Sequence, residues 1–182
     1  MGRSRITNLD VLFLTSGIWF IAKFLRYAFP PLFPVLADLY SVSNSRLGLA
    51  FSGMMAVYAL MQFPAGVFAD RLGAARVVAA GVVLTAVASL ALTLPVSFTL
   101  LFGGMVLIGL GTGVHKTVAV DLLSKYYPQR PGRALGIHDT FGAFGGVVAP
   151  AVVIAVTDTA GWQTLFLLGG GVGLVLAGGF VV

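Results

Sequence analysis

The chain has 182 residues, of which 58% are hydrophobic and 9% charged, with 24 glycines and a mean hydropathy of +1.00. A soluble domain needs about a quarter of its residues charged to cover its surface, so this composition excludes one and makes lipid the main solvent. The lack of cysteine excludes a disulfide scaffold, a thiolate zinc site and a thiol nucleophile.

The spans follow from the gaps between charges, because about 20 apolar residues cross a hydrocarbon core of about 30 Å. The first, residues 11–37, is interrupted by Lys23 and Arg26 and contains Pro30, Pro31 and Pro34. Residues 47–69 are uncharged and form the second span. The 38 residues between Arg76 and His115 are too many for one helix and fold back at Pro95-Val96-Ser97, which predicts spans at 77–94 and 98–122. The fifth and sixth spans are expected at 134–157 and 162–182, making one six-helix, all-α membrane bundle over residues 1–182.

Seven cations, Arg3, Arg5, Arg71, Arg76, Lys125, Arg130 and Arg133, fall in one set of connections, and Arg46 alone in the other. Cytoplasmic loops carry the excess of Lys and Arg, so the N-terminus is expected inside, with residues 1–9 a short tail and not a signal peptide. Four pairs of glycines stand four apart, Gly109/Gly113, Gly132/Gly136, Gly142/Gly146 and Gly169/Gly173. That spacing lets helix backbones approach closely in lipid.

Signatures of covalent chemistry are missing: there is no HExxH, GxSxG or phosphate-binding GxxxxGK[ST] pattern. No enzyme activity, cofactor, metal site or nucleic-acid partner is expected, although His115, His138 and Asp139 could be brought together across two helices.

Ionisable residues inside spans carry the functional signal. An intramembrane Arg or Lys costs at least about 2.5 kcal/mol on insertion scales and normally faces the bundle interior or a wet cavity. Lys23 and Arg26, three apart, share a helix face; the alternative for them is snorkelling to the outer interface. His115 and Lys116 lie late in an inward-running span, and His138 and Asp139 lie early in the following outward-running one. The four therefore fall at similar depth, and a Lys116 to Asp139 or His115 to Asp139 pair is expected, either as a structural ion pair or as a site that takes up a proton on opening.

One connection carries a more specific pattern, Gly66-Val-Phe-Ala-Asp70-Arg71-Leu-Gly73-Ala-Ala-Arg76. Physically, Asp70 suits a helix N-terminus and Gly73 a tight turn. The pattern resembles the G-x-x-x-D-R-x-G-x-x-R signature of the major facilitator superfamily, and Tyr58, Gln62 and Pro64, the loop from Tyr127-Pro128 to Arg133, and Gly161-Trp162 extend the resemblance along the whole chain. Within that superfamily the chain most resembles members handling organic anions and organophosphates, with Arg26 before Ser43-Asn44-Ser45-Arg46 in the place of an anion clamp. An Arg that many members carry early in helix four is missing from Phe102 to Leu107, and an acid in the next turn is replaced by Thr112. The resemblance implies that Asp121 pairs with Arg76.

These readings imply a secondary active transporter unit for a small organic anion, proton-coupled, in the plasma membrane of a prokaryote. Lys23, Arg26, Tyr58, Gln62, His115 and Lys116 are its candidate substrate contacts, and His138 with Asp139 its titrating pair. Gly66, Asp70, Arg71, Gly73, Arg76 and Asp121 are the candidate conformational switch. The resembled transporters have two six-helix bundles and this chain supplies one, so either a parallel homodimer or a missing C-terminal half is expected as partner; the abrupt apolar end at Val182 favours truncation. The alternatives are a non-transporting assembly module and a drug efflux transporter, the latter disfavoured by the cation excess inside the spans.

Overall fold

The computed structural model describes residues 7–181, so the expected tail, with Arg3 and Arg5, lies mostly outside the described residues. The described residues form α1 (Asn8–Tyr27), a 3-10 turn (Pro30–Leu32), α2 (Phe33–Tyr40), α3 (Asn44–Leu72), α4 (Ala74–Ala91), α5 (Phe98–Tyr126), α6 (Pro131–Ala160) and α7 (Gln163–Val181), with no strand among them.

The ends follow from local chemistry. Thr7 and Asp10 make a reciprocal capping box, the Thr7 N–H donating to Asp10 Oδ2 at 2.8 Å and the Asp10 N–H to Thr7 Oγ1 at 3.3 Å. Ser43 and Ser97 cap α3 and α5 by accepting from the Arg46 and Leu100 N–H groups. Gly73, at φ +92°, takes the chain from α3 into α4 with no other connecting residue, a conformation that a side chain resists. Pro131 opens α6, where a missing N–H costs nothing.

Most helices run about three residues past the expected spans, because charges such as Arg46, Asp70 and Arg71 lie within terminal helical turns and do not end them. The span expected at 77–94 is instead helical over Ala74–Ala91, since Leu94 precedes Pro95 and the residue before proline avoids the helical region. The prolines break the first span without ending it: α1 stops at Tyr27, and the path continues through the Pro30–Leu32 turn into α2.

Five helical stretches are long and apolar enough to cross a membrane, Asn8–Tyr40 through the α1–α2 break, α3, α4, α5 and α6, and Gln163–Gly179 of α7 is a shorter apolar helix. In the bundle α1 packs on α6, α5 on α3 and α4, and α4 on α7. Asn8 Nδ2 donates to the Tyr126 carbonyl at 3.2 Å and Tyr127 Oη to the Asn8 carbonyl at 2.7 Å, which ties the start of α1 to the end of α5. The main apolar core, with Leu25, Phe29, Leu47, Met54, Met105 and Phe166, fills one end of the bundle, and Ile18, Val78, Val82, Val114 and Val118 form a second cluster.

Glycines set the close contacts at three of the four expected pairs. A Cβ on Gly109 would overlap the Met54 carbonyl, and one on Gly113 would lie 2.6 Å from the Tyr58 carbonyl, so α3 and α5 touch backbone to backbone. A Cβ on Gly142 would overlap the Trp19 ring. Gly132 and Gly136 have nothing within 4 Å of a built Cβ, and the spacing there does not mark a helix contact. Burial is uneven: 17% of the most apolar window is buried in α3 and 22% in α6, against 50% in α5, so α3 and α6 offer broad apolar faces outward.

Candidate functional site

Trp19 is the centre of the polar cluster. It lies on α1 with Lys23 and Arg26 at i, i+4 and i+7, so all three share one face. The indole is 2% exposed, and Lys23 Nζ, Arg26 Cζ and Lys116 Nζ lie 5.4, 5.3 and 5.1 Å from its centroid. The His115 and His138 rings stand 5.9 Å from it and 5.6 Å from each other, a near-equilateral triangle of aromatic rings. Gly142 on α6 leaves the space the indole occupies.

The sequence groups Lys23 with Arg26 and, separately, the histidines with Lys116; the structure joins the two groups. The reason is side-chain direction. Cα–Cβ bonds tilt toward a helix N-terminus, so Lys23 and Arg26 reach back along α1 while Lys116 reaches the opposite way along the antiparallel α5.

Arg26 does not snorkel. It is 1% exposed, its guanidinium carbon sits 3.7 Å from the centroid of the Tyr58 ring on α3, and Nε and Nη1 have no acceptor. Ring faces attract a cation but do not saturate its N–H groups, so this arginine is held in place with donors to spare. Lys23 is partly exposed beside it. Gln62 does not join the cluster through a hydrogen bond; its Nε2 donates to the carbonyl of Tyr58 on its own helix at 3.5 Å.

Lys116 Nζ donates to Asp139 Oδ1 at 2.7 Å, with 29% and 57% of the two side chains exposed, so the pair sits at the rim of the open face. His115 does not pair with Asp139. Its Nε2 lies 3.1 Å from the Thr15 carbonyl, which can only accept, so Nε2 carries a proton and Nδ1 is left unpartnered. His138 is fully buried with neither ring nitrogen bonded. The hollow behind His115, lined by Ile18, Ala22, Thr85 and Thr112, has room for about one water and not for a substrate.

The connection between α3 and α4 departs from expectation at two residues. Asp70 lies in the last turn of α3, and α4 has no side-chain cap. Asp121 does not pair with Arg76; it accepts from Lys125 on its own helix at 2.7 Å, because a lysine four residues on reaches it without a second helix having to move. Asp70, Arg71, Gly73 and Arg76 are exposed, Gly66 is partly so, and among the described residues neither Arg71 nor Arg76 has an ion-pair partner.

No His, Asp or Glu grouping of three or more that could hold a metal occurs among the described residues. The sequence reading passed over Trp19. Its i, i+4, i+7 relation to two intramembrane cations was the available signal.

A bundle of apolar helices long enough to cross a membrane, with a buried, unsaturated arginine inside it, is the build of an integral membrane protein with a polar site in its interior. The family model described as Major Facilitator Superfamily matches residues 15–182, and the chain belongs to that superfamily. It is 29% identical over 169 residues to the probable sulfoacetate transporter SauU of Cupriavidus necator, covering 92% of this chain and 39% of that protein. It is likewise 29% identical to the 2-nitroimidazole transporter of Escherichia coli, covering 92% of this chain and 42% of that one. A solved bacterial homologue of the human lysosomal transporter Spinster, inward-facing and occupied, superposes with a TM-score of 0.85 at 21% identity, over 96% of this chain and 44% of that chain. The chain thus spans about two fifths of the length of these relatives and matches the fold of a transporter's N-terminal half.

Proposed function

We propose that the chain is the anion-binding unit of a secondary active transporter, moving a small organic anion across a prokaryotic plasma membrane with its N-terminus inside. The observation that carries this reading is Arg26: buried, seated on Tyr58, and with two donor nitrogens, Nε and Nη1, unmet. A buried charge with free donors is costly unless an occupant completes it, and a guanidinium fork fits a carboxylate, sulfonate or phosphate. The anionic substrate in SauU's name agrees with the reading.

Coupling to protons is assigned to His138 and Asp139, beside the cations that hold the substrate. Asp139 is held by Lys116, which shares the Trp19 ring with Lys23 and Arg26, so an anion bound by those two cations changes the field in which the Lys116–Asp139 pair sits. The transport path is completed by a second copy in parallel orientation or by a C-terminal half. The test is uptake of labelled carboxylates into liposomes under an inward proton gradient. Arg26→Ala is expected to abolish uptake with helicity retained, and Asp139→Asn to leave passive exchange but lose gradient-driven accumulation. Accumulation undiminished in Asp139→Asn contradicts the proton assignment.

A further inference from the structure

The charges of the cluster carry the reading one step further, to the class of anion. Lys116 has its counter-ion in Asp139, so that pair is neutral overall. Lys23 and Arg26 have no carboxylate within ion-pair distance among the described residues, and Arg26 keeps Nε and Nη1 without an acceptor although it is buried. Two uncompensated positive charges therefore stand about one turn apart on a single helix face.

Both charged ends reach the same indole, at 5.4 and 5.3 Å from its centroid, so a molecule of a few carbon atoms spans from one to the other. The two are chemically different. The Arg26 guanidinium is planar and fixed against Tyr58, a geometry that takes a planar or tetrahedral acid group through two parallel N–H bonds. Lys23 is a flexible point charge at the partly exposed edge, which accepts a second acid group with little demand on its shape.

We propose that the substrate is a small dianion, one acid group held by Arg26 and the other by Lys23. A monoanion would satisfy Arg26 and leave Lys23 without a counter-ion. The inference rests on the anion-binding reading above, and the experiment separates the two.

The full chain in detergent or nanodiscs at low ionic strength, where charge pairing is least screened, is titrated by calorimetry with malonate, succinate and glutarate and with the corresponding half-amides. Each half-amide keeps the length and one charge of its diacid. The best-fitting diacid is expected to bind at least tenfold more tightly than its half-amide. Lys23→Gln is expected to remove that preference, and Lys23→Arg to keep it. Half-amides binding within twofold of their diacids overturn the dianion assignment and leave the anion site standing, as does a preference that survives Lys23→Gln. Binding by neither series, with the chain folded, overturns the anion site and the dianion inference together.

Discussion

A single indole gathers three cations and two imidazoles from three helices, so Trp19 couples packing to electrostatics at one position. Each ring-to-cation contact contributes on the order of 0.5–2 kcal/mol depending on desolvation, enough to offset part of the cost of keeping Lys23, Arg26 and Lys116 charged together. Trp19→Ala opens a cavity and removes those contacts, and a loss of about 3–5 kcal/mol is expected. Trp19→Phe keeps a ring face and loses less. Thermal unfolding in detergent checks the order Ala worse than Phe; equal losses would mean that the ring face contributes nothing. The sequence made Lys23 and Arg26 conspicuous, because charge inside an apolar span is rare and costly. It made Trp19 inconspicuous, because one aromatic among the many apolar residues of α1 has no individual signal until its partners on α5 and α6 are known.

At the level of the helix, glycine spacing and glycine contact are separable. Gly109 and Gly113 bring the α5 backbone against Met54 and Tyr58 of α3, whereas Gly132 and Gly136 share the same spacing and touch nothing. Periodicity reports which residues share a face, and only the assembled bundle decides which face meets a neighbour. The order of the apolar helices was legible from charge gaps because lipid excludes unpaired charge and a helix satisfies its own backbone, although only five of the six expected spans are helical stretches long enough to cross. Pairings between helices were partly legible. Lys116 and Asp139 follow from matched depth, while Asp121 turned to Lys125, a partner within its own helix. Gly113→Leu is expected to push α5 from α3 at the residue that carries the Arg26-bearing ring, costing about 1–3 kcal/mol by overpacking. Gly136→Leu at an open position is expected to cost little. Hydrogen exchange along α3 and α5 distinguishes them, and equal protection in both variants would contradict the close contact.

For the whole molecule, the governing fact is that the chain matches about two fifths of the length of its relatives while carrying a complete polar cluster. The apolar faces of α3 and α6 and the Lys116–Asp139 pair are left partly exposed, and under the transporter reading proposed above a second bundle closes the pathway there. If a parallel homodimer closes it, light scattering in nanodiscs finds twice the 18.9 kDa chain mass after subtraction of lipid; a strict monomer leaves a C-terminal half as partner or the non-transporting module. Arg26 remains the decisive residue in either arrangement. The most direct test is counterflow exchange of a labelled carboxylate in liposomes holding the transporter completed by its second bundle, with this chain either unaltered or carrying Arg26→Ala. Losing a charge-assisted contact of about 1.5–3 kcal/mol predicts exchange reduced roughly 10- to 100-fold in the variant, with the helical signal unchanged. Exchange in Arg26→Ala equal to that of the unaltered chain would contradict the account.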